Sequence, residues 1–329
     1  PDTLTIRGEK SADLRYGENP HQRAAVYRDP TGRGTSIIAA RQLHGKELSF
    51  NNVSDADRAL RIVQDLKSAF PDEHGATVIK HTNPCGGAIA SSNADALADA
   101  LAGDPLAAYG GILCVNTAIT EDGAQAILDG ARFLEVVAAS SFEGRSAEMI
   151  GEKWNNVRLL ELGGFTAPSP ALDFSPIRGG MLVQDQDTSA VDFGSWEHVA
   201  GPDIDEEMRR ASAFAWVMVK HLTSNAIAVA SIDPSRERAV LLVGSGAGQM
   251  DRVASCRIAL SKIGSPRETR SVAASDAFFP FPDGPEMLIA GGVTVIVHPG
   301  GSKRDRETID LCETCGVTCF TTGVRHFRH

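Results

Sequence analysis

No run in the 329 residues approaches the ~18 unbroken apolar positions that a membrane span requires. The chain opens Pro1-Asp2-Thr3-Leu4, without the basic and apolar segments of a secretory leader and without an initiator methionine, so a soluble, cytoplasmic fragment of something longer is expected. Positive charge is scarce: 32 Lys and Arg stand against 42 Asp and Glu, a formal net charge of -10. A general nucleic-acid binder needs a basic face to displace counterions from phosphate, and that class is excluded. One phosphate in one pocket is not excluded, because net charge governs long-range steering rather than a single site.

Several catalytic signatures are also missing. The zinc-hydrolase patterns H-E-x-x-H and H-x-x-E-H do not occur, and the deaminase pattern fails because Pro84-Cys85 is followed by Gly86-Gly87-Ala88. There is no G-x-S-x-G elbow and no Walker A loop. The six cysteines form no small-scaffold disulfide pattern and are read as reduced. Cys312, Cys315 and Cys319 supply three of the four ligands that structural zinc needs, and the helical stripe Ile309, Cys312, Cys315, Gly316 accounts for the first two thiols as core packing. No zinc is expected. Gly244-Ser245-Gly246-Ala247-Gly248-Gln249 fails the dinucleotide fingerprint at its third glycine position, which is Gln249, so NAD is not expected either. What survives there is a set of backbone amides before a helix, able to take an anion or a carboxamide oxygen.

What is present begins with Lys80-His81-Thr82-Asn83-Pro84-Cys85-Gly86-Gly87, directly after the β-branched run Thr77-Val78-Ile79. A strand delivering two titratable nitrogens into a Pro/Gly turn places them at a strand's carboxyl end, where open α/β sheets keep their chemistry. Around it strands and helices alternate. A helix starts at Ser54 with Asp57 completing a capping box; strands are read at 76–80, 111–115, 133–139 and 157–162, with helices between them, the first capped near Ser92. Residues 163–202, rich in Gly, Pro, Ser and Asp, are read as a linker. A helix at 204–222 opens a second run, with strands at 226–230, 239–243, 293–297 and 317–320 and a helix beginning at Ser302, capped with Asp305. Strands alternating with helices predict a largely parallel sheet covered on both faces.

Three further stretches could face a ligand. Leu14-Arg15-Tyr16-Gly17-Glu18-Asn19-Pro20-His21-Gln22 groups polar side chains on a Gly/Pro-shaped loop. Residues 275–284, with Phe278, Phe279, Phe281 and two prolines, make a rigid apolar wall suited to a flat aromatic ligand. His298-Pro299-Gly300-Gly301-Ser302 is either a helix start or a ligand loop.

Taken in order, LRYGENPHQ (14–22), QLHGKELSFNN (42–52), VIKHTNPCG (78–86), AYGGI (108–112), SNAIAVA (224–230), GAGQ (246–249), SDAFFPF (275–281) and RHFRH (325–329) resemble the formyltransferase half of the AICAR transformylase/IMP cyclohydrolase family, in a bacterial form. The resemblance implies an α/β fold of two intertwined cytidine-deaminase-like α/β/α lobes with mixed sheets and no zinc, here residues 1–200 and 201–329, and a homodimer with active sites between subunits. It also implies that the family's cyclohydrolase domain is absent from this chain. The reaction implied is transfer of the formyl group of 10-formyltetrahydrofolate to the 5-amino group of AICAR, giving FAICAR and tetrahydrofolate, a step of purine biosynthesis.

By the same resemblance Lys80, His81 and Asn225 are catalytic. Arg15, Tyr16, His21, Gly110, Gly111, Glu135, Gln249 and Arg325 bind AICAR, with Arg325 on its phosphate. Phe278, Pro280, Asp283, His298, Pro299, Gly300 and Ser302 bind the folate, and Ser224 and Asp276 mark a potassium site. Two positions depart from the family pattern: Gly284 stands where some members have an asparagine, and Glu135 where some have an aspartate. A non-catalytic nucleotide-binding scaffold and a zinc deaminase are the competing readings, the first opposed by the presence of Lys80 and His81 and the second by the missing ligand motifs.

Overall fold

A computed structural model describes residues 3–166, 172–263 and 270–329. The chain runs β1 Glu9–Leu14, β2 Ala24–Arg28, β3 Arg41–His44, α1 Phe50–Ala69, β4 His74–Lys80, β5 Asn83–Ala90, α2 Asn93–Ala102, α3 Pro105–Ala108, β6 Gly111–Val115, α4 Glu121–Gly130, β7 Leu134–Ala139, α5 Ser146–Lys153 and β8 Arg158–Glu161. It continues β9 Leu172–Ile177, β10 Gly180–Asp185, β11 Glu197–Ala200, α6 Glu206–Lys220, β12 Ile227–Ile232, β13 Val240–Gly246, α7 Arg252–Lys262, β14 Ser271–Ser275, α8 Asp283–Ala290, β15 Val295–His298, α9 Asp305–Cys315 and β16 Thr318–Thr321.

Twelve strands form one mixed sheet in the order β11-β16-β15-β14-β12-β13-β5-β4-β6-β7-β8-β3. The expectation of a largely parallel sheet is corrected: parallel pairing is confined to β6-β7, β7-β8, β14-β15 and β15-β16. The reason is local. After β4 the chain turns back at once into β5, paired antiparallel with Lys80 opposite Asn83, instead of crossing over into a helix. Proline and paired glycines disguise β5 as a loop. Pro84 sits beside a bulge, where its missing N–H costs no ladder bond, and Gly86 lets α2 lie so close that a Cβ would come 1.9 Å from the Ala100 carbonyl oxygen.

Alternate residues of each strand face opposite helical layers. Ile79, Ile112 and Val136 join Leu60, Leu66, Phe214 and Val217 in a core beneath α1 and α6. Their neighbours Val78, Leu113 and Val137 pack with Leu97, Leu101 and Ile127 of α2 and α4. A third cluster under α7, α8 and α9 contains Cys256, Phe279, Leu288 and Cys312. The two half-sheets meet at β13-β5 through two paired rungs, Val240 with Ile89 and Leu241 with Ala88.

Other expectations shift with this frame. α1 starts four residues early: Ser49 accepts the Asn52 amide and the Asn52 side chain accepts the Ser49 amide, so the capping box lies at 49–52, with Leu48 and Val53 beside it packed on the core. The supposed linker holds the hairpin β9-β10 and the edge strand β11, which pairs with β16; residues 167–171 of it lie outside the described residues. α9 begins at Asp305 rather than Ser302, and Asp305 accepts the Gly301 and Ser302 amides at 2.6 and 3.0 Å. Cys312 and Cys319 are buried but Cys315 is exposed, so the predicted thiol stripe is core-facing only at Cys312; no group of three metal-ligating side chains occurs among the described residues. β1, β2, β14 and α8 had no counterpart in the sequence reading.

Candidate functional site

The β4-β5 hairpin carries Lys80 and His81 to its tip. A two-residue loop between strands favours turns with positive φ at both positions, a geometry that suits Asn and Gly; here His81 and Thr82 adopt it at +52° and +60°. Lys80 Nζ donates to the carbonyls of Tyr109 (2.8 Å) and Gly110 (3.2 Å). An ammonium has three donors, so one remains. His81 is exposed. Beneath it the Thr82 amide donates to Asp55 Oδ1 at 2.7 Å, and Arg328 Nη2 donates to the Thr82 carbonyl at 2.7 Å. Burial pushes the Asp55 carboxyl up, and the Thr82 amide, His81 and Lys80 only partly offset it. Burial, with Arg58 and Arg61 nearby, lowers the Arg328 guanidinium to about 10.

Asn83 joins the tip to the second half-sheet, its Oδ1 accepting the Thr223 amide at 2.8 Å. Two residues on, Asn225 is fixed from both sides: its Nδ2 donates to the Gln249 carbonyl at 2.9 Å and its Oδ1 accepts from Arg252 Nη2 at 2.7 Å. Ser224, Asn225, Gly248, Gln249, Met250, Phe327 and His329 line a cleft of about 300 Å³. The anion site expected from the amides before α7 is corrected, because Asp251 caps that helix and accepts the Ala254 amide at 2.7 Å. Gly246 serves packing instead, since a Cβ there would come 2.0 Å from the Ser255 carbonyl oxygen.

Asp276 is fully buried. Its Oδ1 pairs with Arg252 Nη1 and accepts the Ala226 amide, and its Oδ2 accepts the Ser224 hydroxyl. A monovalent cation at Ser224 and Asp276 would find two adjoining oxygens beside a carboxylate whose charge Arg252 already balances.

The remaining predicted residues divide between those near the hairpin and those elsewhere. Gly110 and Gly111 adjoin Lys80, and Gly111 pairs with Leu134, which places Glu135 one residue further along β7 with its carboxylate bound to Arg158. Arg325 is exposed and stacks 4.4 Å over the Phe327 ring, in a tail pinned by the His326 amide on the Asp276 carbonyl, by the Ser224 amide on the Arg328 carbonyl and by the Arg328 amide on Ser224 Oγ. The Arg15 loop lies against α1: Arg15 donates to the Tyr16 hydroxyl at 2.7 Å, His21 is exposed, and the loop rests through the Glu18 carbonyl on Asn51, one turn before the Asp55 that holds Thr82.

On the apolar wall Phe278, Pro280 and Asp283 are exposed while Phe279 is core. Gly284 is buried behind the wall, where a Cβ would meet Phe279 at 2.9 Å, so an asparagine in its place could not reach the exposed face without displacing that ring. His298 is fully buried against Phe279, its Nδ1 accepting the Gly300 amide at 3.1 Å, and burial lowers its pKa to about 4. Pro299 is buried too, leaving Gly300 and Ser302 as the partly open members of that loop. The sequence reading missed Asp55, Arg252 and Arg328. Each lies within or beside a motif it used, but their partners are distant in sequence.

Fold and site together define a mixed α/β protein with a Lys-His hairpin beside a polar cleft where two half-sheets join. The AICARFT/IMPCHase bienzyme family matches residues 1–262, and the chain belongs to that family. It is similar to the bifunctional purine biosynthesis protein PurH of Bacillus cereus (strain B4264), at 40% identity over 329 residues. The PurH proteins of Rhodopirellula baltica, over 332 residues, and of Bacillus anthracis, over 329, show the same identity. All of this chain is covered in each alignment, and it spans 61% of the length of these relatives.

Proposed function

We propose that the chain is the AICAR transformylase portion of such a bifunctional protein, transferring the formyl group of 10-formyltetrahydrofolate to the 5-amino group of AICAR in the cytoplasm. The observation that carries this reading is the pairing of Lys80 and His81 at a hairpin tip beside the Asn225 and Gln249 cleft, in a chain of this family. The amine attacks the formyl carbon, His81 takes the amine proton, the bond from that carbon to folate N10 breaks, and the proton His81 gained passes to N10, which leaves as tetrahydrofolate with the imidazole neutral again. The AICAR amine is conjugated to a carboxamide-bearing ring and is a weak nucleophile, so a base acting during attack lowers the barrier. The donor left on Lys80 serves the oxygen on which charge develops.

Arg325, with Arg15, Tyr16 and His21, holds the nucleotide. Phe278, Pro280 and Asp283, with the loop through Gly300 and Ser302, form the folate side. We read the chain as two lobes, 1–200 and 201–329, and the active unit as a homodimer. One feature supports the dimer: β9-β10 exposes Phe174, Ile177, Met181 and Leu182. Mixing the protein with AICAR and 10-formyltetrahydrofolate and following tetrahydrofolate absorbance tests the reading; no product at high enzyme concentration overturns it.

A further inference from the structure

We propose that Asp55 and Arg328 are positioning residues that grip the Thr82 peptide from opposite sides and so fix the direction in which the His81 imidazole points; this rests on the transformylase reading above. A β-branched residue in the left-handed region is an outlier, and two successive non-glycine residues with positive φ persist only where the surroundings over-determine them. The hairpin does not do this alone. The Thr82 N–H is held by Asp55 from α1 and the Thr82 C=O by Arg328 from the C-terminal tail, both at 2.7 Å, while Asn83 Nδ2 holds the His81 carbonyl at 3.0 Å.

Both grips are themselves anchored. Asp55 sits in the second turn of a helix whose N-terminus is boxed by Ser49 and Asn52. Arg328 also binds the His221 carbonyl, and its backbone pairs with Ser224. The tail that carries Arg325 is held without this side chain, through the His326 amide on the Asp276 carbonyl and the Ser224 amide on the Arg328 carbonyl, so removing the Arg328 guanidinium frees the Thr82 carbonyl and leaves Arg325 in place. Neither residue needs to touch substrate, and the loss on removing either belongs to kcat rather than to AICAR affinity.

Asp55→Ala and Arg328→Ala should each lower kcat by ~10- to 100-fold with AICAR Kd, from titration calorimetry, within ~2-fold of the parent, as a small misplacement of a catalytic group costs. Asp55→Asn, which keeps an acceptor for the Thr82 amide, should stay near the parent. Adding Thr82→Gly to Asp55→Ala should recover part of the loss, because glycine adopts positive φ freely. In parallel, the His81 ring resonances in a histidine-labelled sample should shift or broaden in both alanine variants and return in the double variant. Unchanged kcat in both alanine variants, an Asp55→Asn loss equal to that of Asp55→Ala, or His81 resonances unmoved by either substitution would overturn the proposal. If the parent protein transfers no formyl group, the transformylase reading fails, and the ring resonances alone judge the clamp.

Discussion

At the hairpin tip His81 stands exposed while the backbone on either side of Thr82 is held by Asp55 and Arg328, which on the proposed reading leaves a general base open to substrate on a fixed support. His81→Ala should lower kcat by at least ~10², the scale of a lost acid/base group, with AICAR affinity nearly unchanged; an unaltered kcat removes His81 from the mechanism. Arg325→Ala should act the other way, weakening AICAR binding through a lost paired hydrogen bond to phosphate, and binding as tight as the parent's would exclude Arg325 as the phosphate ligand. Lys80 and His81 were legible in the sequence because their chemistry is intrinsic to their side chains. Asp55 and Arg328 were not, since an acid on a helix and an arginine in a tail gain meaning only from a peptide 27 and 246 positions away. Gly244 and Gly246 misled for the opposite reason: their pattern invites a bound anion, and the helix above them uses the space instead.

Among the elements, β5 decides the architecture. Its strand signal is diluted by Pro84, Gly86 and Gly87, so periodicity reads a turn into a helix where the chain makes a hairpin, and the error propagates into the predicted sheet direction. Elements legible in advance, among them β6, β7, α2 and α6, have unbroken apolar patterning or a clear cap. The same glycine that hides β5 offers a test. Gly86→Ala puts a methyl into the Ala100 carbonyl and should cost ~1–3 kcal/mol or more, as overpacking does. Urea unfolding should therefore show a lowered midpoint, together with reduced kcat because the displaced strand leads to His81. A midpoint equal to the parent's would mean that α2 yields without cost.

Across the whole molecule, two carboxylates, Asp65 half-buried and Asp187 more exposed, join distant segments. Burial raises Asp65, but His221 and Lys220 of the α6 end outweigh it and hold the carboxyl below its ordinary range. Burial likewise raises Asp187, and the His326 ring, 2.5 Å away, with Lys220, holds it lower still. A carboxyl whose folded pKa is depressed contributes stability in full above the unfolded value of ~3.9 and loses it as pH falls through the folded value. The urea midpoint should accordingly fall as pH drops below ~4, and Asp187→Asn should flatten that fall while lowering the midpoint at neutral pH. An identical acid profile in the variant would show that the pair contributes nothing to folding.

The narrow join between the half-sheets has a mechanical consequence. Only two rungs of β13-β5 carry the sheet across, so that seam is its most compliant line, and stiffness there comes from α1 lying against α6 and from Arg210 and Arg238 both gripping Glu73. The hairpin tip and the Asn225 segment sit at the end of the same line, joined by Asn83 and Thr223. Any slight shear between the halves is therefore taken up between the hairpin tip and the Asn225 segment.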